Sequence, residues 1–278
     1  MRIHHLNCVT MCPPGGALMD GRQHAKGLSA SLVCHCLLIE TERGLVLVDT
    51  GFGLGDVREP RPRLSGFFLG LNRPQLHEEM TAIRQVERLG FKADDVRHIV
   101  LTHLDLDHAG GLADFPRARV HVLATEHAAA QARRTLMERQ RYQAVQWAHG
   151  PDWRLYDTAR GEPWFGFDCV RALDGLPPEV LLVPLTGHTR GHCGVAVDTG
   201  QGWLLHAGDA YFFRDELAPE PHCPPGLRLL QNILAMENAS RRENRRRLRE
   251  LSCTHGAQVR VFCAHDAEQW RQLAATSS

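Results

Sequence analysis

The feature that most constrains the fold is a polar cluster placed directly after a predicted buried strand. The apolar run Val96 to Leu101 predicts a short strand, and it continues without a break into THLDLDH at 102–108. The glycines of Ala109-Gly110-Gly111 then allow a close backbone turn. Because side chains at strand ends can converge at one sheet edge, such clusters together predict a single site. The other polar clusters that follow predicted strands are Asp49, His188 to His192, Asp209 and His265.

The order of apolar segments favours a sheet covered by helices over a helical bundle. We predict further strands at 31–40, 44–48, 119–123, 180–185, 194–198, 202–206 and 258–263. Helices are predicted at 78–89, 125–148 and 227–251. The chain has 278 residues and no internal repeat, so we expect one domain spanning 1–278.

The charge balance argues against a nucleic acid or membrane partner. The 32 basic and 32 acidic residues cancel, which leaves no bulk attraction to either polyanion. The arginine-rich stretch 241–249 is interpreted as a solvated helix face. No run approaches the roughly 18 apolar residues of a membrane helix. The start lacks the apolar stretch of a secretory signal and nine cysteines cannot all pair, so we expect a cytoplasmic protein that acts on a small molecule.

The polar clusters contain the residue types that bind metal ions. In the 102–108 motif, polar residues alternate with Leu104 and Leu106, so in an extended loop the polar side chains point one way. Other strand ends add further nitrogen and oxygen donors. Seven donors exceed what one ion needs, and two divalent metal ions are the natural number. The seven candidate ligands are His103, Asp105, Asp107, His108, His188, Asp209 and His265.

These motifs resemble those of the metallo-β-lactamase superfamily. THLDLDHAGG resembles its H-x-H-x-D-H signature, with Asp49-Thr50-Gly51 before it. TGHTRGH at 186–192, Gly208-Asp209 and His265 follow in the family's order. The resemblance implies an α+β fold, a four-layer αβ/βα sandwich of two mixed sheets flanked by helices, with metals at one edge. The motifs TGHTRGH and Ala264-His265-Asp266 are similar to those of the lactonase branch, which includes acyl-homoserine lactonases.

The resemblance implies two ion sites joined by one carboxylate, that of Asp209. The ligands implied for the first ion are His103 and His188, and Asp105 stands at the position of a further ligand. The ligands implied for the second ion are Asp107, His108 and His265. Asp49 and His192 match positions that orient the ligands without binding metal.

Asp105 departs from the pattern, since most members have a second histidine there. A carboxylate at this position either binds the first metal or only hydrogen-bonds His103, and both alternatives stay open. If Asp105 binds, its added negative charge is expected to weaken the polarisation of a bound water. An additional oxygen donor also moves the preference toward Mn or Fe, although zinc remains our first choice for both sites.

The donor set and the resemblance predict a dinuclear metal-dependent hydrolase. A metal-bound hydroxide is expected to attack a lactone or ester carbonyl, with Asp107 or Asp209 handling the proton. Tyr211 follows the bridging residue closely and either contacts the carbonyl or packs in the core. A diiron oxidoreductase is a second hypothesis, because some related members carry a carboxylate at the Asp105 position. A thioesterase of the glyoxalase II kind is a third.

Two apolar segments have open roles. The aromatic-rich segment 142–167 either walls a substrate pocket or covers the outer core. The segment 66–70 lies in a predicted long loop between prolines. It either covers the site or forms a contact between the subunits of a homodimer.

Overall fold

A computed structural model of the chain describes residues 1–21, 27–158, 161–169 and 173–276. A mixed sheet of six strands lies in the first half. Strand β2 pairs antiparallel with β1 and with β3, whereas the pairs β3–β4, β4–β5 and β5–β6 are parallel. The strands are β1 (Arg2–Met11), β2 (Leu32–Thr41), β3 (Gly44–Val48), β4 (Val96–Val100), β5 (Arg119–Leu123) and β6 (Asp152–Tyr156).

A hairpin of β7 (Glu162–Trp164) and β8 (Phe167–Cys169) leads into a second mixed sheet, whose order is β12-β11-β10-β9. Its first three strands in the chain run antiparallel, and the last runs parallel to its neighbour β11. These strands are β9 (Val180–Pro184), β10 (Cys193–Asp198), β11 (Trp203–His206) and β12 (Val259–Phe262).

Helices cover both sheets and connect their strands. In the part of the chain described, no helix is long and apolar enough to cross a membrane. The α-helices are α1 (Ala17–Asp20), α2 (Leu54–Arg58), α3 (Pro60–Arg63), α4 (Gly66–Asn72), α5 (Ala82–Arg88), α6 (Ala124–Ala132), α7 (Leu136–Arg141), α8 (Pro225–Leu234), α9 (Asn238–His255) and α10 (Ala267–Thr276). Short 3-10 helices lie at Glu78–Met80, Ala93–Asp95, Leu112–Asp114, Ala144–Trp147 and Arg214–Leu217.

Alternate side chains of β2 face opposite ways, and they define the layers. Leu37 belongs to the buried cluster between the two sheets, together with Val195 of β10. Leu38 faces the other side, where it belongs to one cluster with Val86 of α5. The outer face of the second sheet packs against α9 through a third cluster. The order helix, sheet, sheet, helix confirms the predicted four-layer sandwich.

The two long predicted helices are each interrupted in the structure. The segment 125–148 contains α6, α7 and a 3-10 helix, because Arg133 takes a left-handed φ of 41° and Thr135 caps α7. The segment 227–251 is divided between α8 and α9. In the gap, the N–H groups of Met236 and Glu237 donate to the carbonyls of His188 and Gly187, at 3.0 and 2.9 Å. These long-range hydrogen bonds are not visible in the local sequence pattern.

Candidate metal centre

The five predicted polar clusters meet at one edge of the two sheets. Each follows the carboxyl end of a strand: β3, β4, β9, β11 and β12. Contacts between the sheets close this edge, since His35 N–H donates to the carbonyl of Ala264 at 2.9 Å. All seven candidate ligands are buried, as are Asp49 and His192. The fold therefore brings together the residues that the motifs singled out, apart from Tyr211.

One group of donors surrounds the Asp105 carboxylate. Its Oδ2 lies 3.0 Å from His188 Nε2 and 3.5 Å from His103 Nε2. Oδ2 of Asp209 approaches the same two nitrogens, at 3.2 Å for His188 and 3.8 Å for His103. Two imidazoles and two carboxylates thus converge on one point, and this donor set suits a divalent ion.

A second group surrounds the other oxygen of Asp209. Its Oδ1 lies 3.4 Å from His108 Nε2 and 3.1 Å from His265 Nε2, and His265 Nε2 also lies 3.2 Å from Oδ2. Oδ2 of Asp107 lies 3.9 Å from the same nitrogen of His108 and 3.7 Å from that of His265. The carboxylate of Asp209 therefore stands between both groups and presents an oxygen to each.

Despite these short distances, several of these atoms make no hydrogen bond of acceptable geometry with any of the described residues. His103 Nε2, His108 Nε2 and Asp209 Oδ1 are all buried and unpartnered, and their donor atoms lie within 4.8 Å of one another. Burying a polar atom without a partner is costly, and native proteins rarely do so. A cation supplies the missing partner to imidazole nitrogen and carboxylate oxygen alike, so the residues present fit a metal ion.

Asp49 fixes the orientation of the His108 ring through the ring nitrogen that does not face Asp209. Its carboxylate accepts a 2.8 Å hydrogen bond from His108 Nδ1, which turns Nε2 toward Asp209. Thr102 supplies two further donors, its N–H at 2.8 Å and its hydroxyl at 2.7 Å. Burial acts to raise the pKa of Asp49, yet the adjacent His108 holds it below its usual value. Asp49 also has a left-handed φ of 57°, an uncommon conformation that tertiary contacts must maintain.

His192 holds the backbone of Asp209. Its Nδ1 donates to the carbonyl of Leu185 at 2.9 Å, so Nε2 accepts from the N–H of Asp209 at 2.8 Å. Burial lowers the pKa of His192 well below its usual value, which keeps the ring neutral as this pattern requires. Gly208 permits the close approach, because its φ is 52° and a Cβ there would lie 2.6 Å from His192 Nε2.

Glu126 is a buried residue of the site that the sequence analysis missed. One of its oxygens accepts from the N–H of Leu104 and the hydroxyl of Tyr142, at 3.0 and 3.1 Å. The other accepts from the hydroxyl of Thr189 and the N–H of Gly191, at 2.7 and 3.0 Å. It lies at the start of α6, in no metal motif, so only the tertiary structure reveals its contacts.

Arg141 was missed for the same reason, since it lay inside a predicted helix. At the end of α7 its Nε lies 3.2 Å from Asp105 Oδ1, and its Nη1 donates to the carbonyl of His188 at 2.9 Å. Burial acts to raise the pKa of Asp105, but Arg141 and then His103 hold it well below its usual value. Asp105 is therefore ionised next to a buried cation.

An apolar cavity of about 170 Å³ opens onto the candidate ligands. The segment 66–70, expected to be a loop, belongs to α4 and contributes Phe67 and Phe68 to the cavity wall. Of the two roles left open for this segment, its position in the cavity wall agrees with the first, which is to cover the site. Other apolar residues of the wall are Met11, Leu106, Met137, Phe212 and Leu234.

The structure corrects the expectation that Tyr211 contacts the substrate carbonyl. Its side chain is fully buried in the cluster between the second sheet and α9. The next residue, Phe212, faces the cavity instead, with its ring centroid 4.8 Å from that of His265. The two neighbouring side chains therefore lie on opposite sides of the chain at this point.

The aromatic residues of 142–167 cover the core. Tyr142 and Trp147 belong to the cluster between the first sheet and its helices. Trp164 and Phe167 belong to the cluster under α9. These four residues therefore cover the core, which is the second of the two roles considered for this segment.

A four-layer αβ/βα sandwich with a buried His/Asp cluster at the shared sheet edge is the architecture of a metal-dependent hydrolase. The sequence profile of the metallo-beta-lactamase superfamily matches residues 31–255, and the chain belongs to that superfamily. The fold class and superfamily predicted from the motifs are confirmed.

Relatives agree with this assignment. A probable metallo-hydrolase of Mycobacterium tuberculosis is 44% identical over 98% of this chain and 82% of its own length. An N-acyl homoserine lactonase of Bacillus thuringiensis is 27% identical over 75% of this chain and 77% of its own. A solved structure of a B. thuringiensis AiiA mutant, with N-decanoyl-L-homoserine bound at the active site, shares the fold with a TM-score of 0.72. It is 22% identical, and the match covers 98% of this chain and 95% of that one.

Proposed function

We propose that the chain is a dinuclear hydrolase that opens lactone or ester bonds in small substrates with an apolar group. The observation that carries the proposal is the position of Asp209, whose two carboxylate oxygens face two separate donor groups at the floor of an apolar cavity. A carboxylate in this position is suited to bridge two ions. The lactonase relatives support the same class of bond.

The two ions would be held by separate ligand sets that share only Asp209. The first set is His103, Asp105 and His188, and the second is Asp107, His108 and His265. Two divalent ions bound there supply a Lewis acid for a carbonyl oxygen and make a bound water more acidic. The mixture of imidazole and carboxylate donors suits zinc, and it also accommodates Mn or Fe.

Asp107 is the ligand best placed to exchange a proton with the substrate. Its side chain is 12% exposed, whereas that of Asp209 is 4% exposed. It lines the cavity, so a leaving alkoxide could reach it directly. We assign to Asp107 the acceptance of the proton that the attacking water loses and its transfer to the leaving oxygen, while Asp209 stays fixed between the ligand sets.

The charge and polarity of the cavity favour a neutral carbonyl substrate. Apart from the candidate ligands, most of the wall is apolar, and among the described residues of the lining only Arg141 is an arginine or lysine. That guanidinium already faces Asp105. Outside the metal centre, the cavity therefore offers little to bind the charge of a phosphodiester. A neutral lactone or ester with an apolar substituent needs no such partner and gains from burial in the wall.

The test is a substrate panel on purified protein loaded with zinc, manganese or iron. It contains lactones and esters with short and long acyl groups, thioesters and phosphodiesters, with Asp209→Ala as the inactive control. Hydrolysis of lactones or esters with two bound ions supports the proposal. Preferred thioester cleavage would indicate a glyoxalase II-like enzyme instead. Two bound irons with a visible absorbance spectrum and no hydrolysis would favour the oxidoreductase hypothesis and overturn the proposal.

A further inference from the structure

Asp105 divides its two oxygens between two different environments. Oδ2 faces His188 Nε2 at 3.0 Å and His103 Nε2 at 3.5 Å. Oδ1 lies 3.2 Å from Arg141 Nε, an ion-pair contact that does not have the geometry of a hydrogen bond. Both Asp105 and Arg141 are only 7% exposed, so solvent screens their interaction poorly. One oxygen is thus available to an ion, and the other is next to a guanidinium.

The guanidinium of Arg141 is held on its far side by backbone. Nη1 donates to the carbonyl of His188 at 2.9 Å, and Nη2 donates to the carbonyl of Leu234 at 3.0 Å. The planar group therefore touches a candidate ligand, the loop of a second ligand and the end of α8. A side chain fixed at three points can set the orientation of the carboxylate that it faces.

The charges at the first ion site make the pairing necessary. Asp105, Asp107 and Asp209 carry three negative charges in one buried cluster. Arg141 cancels one of them at the oxygen that does not face the other ligands. Taken together, Asp105 and Arg141 have no net charge, and in this respect they are equivalent to a neutral imidazole that offers one donor atom.

We propose that Asp105 and Arg141 act as one electrically neutral ligand of the first ion. Arg141 is a positioning residue in this pair: it forms an ion pair on the Oδ1 side, leaves Oδ2 for the ion and cancels the carboxylate's charge. The inference rests on the proposed dinuclear site. It replaces the sequence-based expectation of a less positive centre, because the cation of Arg141 restores the charge that Asp105 removes.

The proposal predicts a compensating pair of substitutions. In Asp105→His, a neutral imidazole replaces the carboxylate, so the buried guanidinium of Arg141 loses its counter-charge. The unbalanced positive charge then repels the ion. Adding Arg141→Gln removes that charge and should restore binding. In Arg141→Gln alone, both oxygens of Asp105 become available with full negative charge, which should shift the preference from zinc toward manganese.

The experiment is a titration of the metal-free chain with zinc and with manganese, followed by competition with a chelator. The proteins compared are the unaltered chain, Asp105→His, Arg141→Gln, the double variant, and Arg141→Lys. Arg241→Gln is the matched control, because Arg241 is also buried but donates to Gln231 and Asn232 and contacts none of the ligand side chains. Circular dichroism confirms that each variant is folded. Asp105→Asn, alone and combined with Arg141→Gln, removes the negative charge of the side chain while keeping its shape. Metal binding by these two variants is compared in the same way.

We expect Asp105→His to bind the first ion roughly 10- to 100-fold more weakly, the range typical of residues that support a metal ligand. The double variant should recover most of this loss, Arg141→Lys should keep the zinc preference, and Arg241→Gln should bind as the unaltered chain does. Two ions bound equally well in all proteins would overturn the role of the pair and leave the proposed function intact. If the variants bind metal as expected but the unaltered chain hydrolyses no lactone or ester, the substrate assignment alone would be overturned.

Discussion

The Glu126 carboxylate accepts a hydrogen bond of 2.7 Å from the hydroxyl of Thr189. Through its other oxygen it accepts from the N–H of Leu104 at 3.0 Å. Thr189 follows His188, and Leu104 follows His103, so one buried carboxylate joins the two loops that carry the imidazoles of the proposed first ion site. The distance between those loops is thus set by a residue that lies outside the ligand set.

Replacing this carboxylate should loosen both loops at once. In Glu126→Gln an amide N–H₂ group faces hydrogen-bond donors, so at least one buried donor loses its partner. We expect a loss of about 3 kcal/mol in the free energy of unfolding and roughly tenfold weaker metal binding. Denaturant unfolding and metal titration measure these effects. Tyr142→Phe, which removes one of the four donors, should cost about 1 kcal/mol. Equal effects of the two substitutions would contradict the role of Glu126.

Asp209→Ala should remove both ions and abolish hydrolysis. Each oxygen of this carboxylate faces one donor group, so its loss takes a ligand from both sites. Elemental analysis after gel filtration gives the metal content, and the substrate panel gives the activity. His265→Ala is the comparison, since it should weaken only the second site. Retention of one ion with normal activity in Asp209→Ala would show that the carboxylate does not bridge.

Tyr211 and Phe212 should respond in opposite ways to substitution. Tyr211→Phe changes only a side chain in the core under α9, and we expect unchanged kcat and KM. Phe212→Ser removes an apolar ring from the cavity beside His265 and should raise KM for apolar substrates. Steady-state kinetics on both variants separates the two positions. A large fall in kcat for Tyr211→Phe would restore the catalytic role that the sequence suggested.

The exposed ring of Phe67 should contribute to substrate binding more than to folding. It is 76% exposed and lines the cavity. Phe67→Ser is expected to raise KM for long-chain esters or lactones about tenfold, the value of a partly buried aromatic contact, with little change for short ones. Leu89→Ser is the control, because Leu89 is exposed at the end of α5. A similar increase in both variants would contradict a specific contact at Phe67.

Buried His121 should make folding sensitive to acid; its Nε2 lies 2.8 Å from His98 Nδ1 and its Nδ1 lies 2.7 Å from the hydroxyl oxygen of Tyr156. Burial, then His98 and nearby arginines, lowers the pKa of His121 to about 3, so its ring stays neutral in the folded state. The unfolded chain binds a proton near pH 6.5, and stability is lost as pH falls below that value. Between pH 7 and 5 this histidine should cost about 2 kcal/mol. In His121→Gln, the fall in unfolding free energy should be shallower by that amount. Chelator is present throughout, so that the metal ligands titrate alike, and parallel curves would contradict the assignment.

The convergence of the candidate ligands at one edge could be predicted because each motif is local. His103 to His108 lie in one loop directly after a strand, and the strand's hydrophobic pattern places that loop. Glu126 and Arg141 could not be predicted, since their function depends on contacts with distant loops. Strand β1 was missed for a different reason: buried polar side chains interrupt its apolar pattern. Asn7, for example, donates to Thr10 at 2.8 Å inside the fold and is satisfied there.

The gap between α8 and α9 has a consequence for how the enzyme responds to its metals. Met236 and Glu237 donate to the loop that carries His188, and the preceding helix contributes Leu230 and Leu234 to the cavity wall. A ligand of the first ion and the wall that receives the substrate therefore share a backbone connection. Loss of the ion should increase amide exchange in α8 as well as in the ligand loop. Metal loading and substrate selectivity would then rise and fall together, so that a chain partly depleted of its ions would be less selective as well as less active.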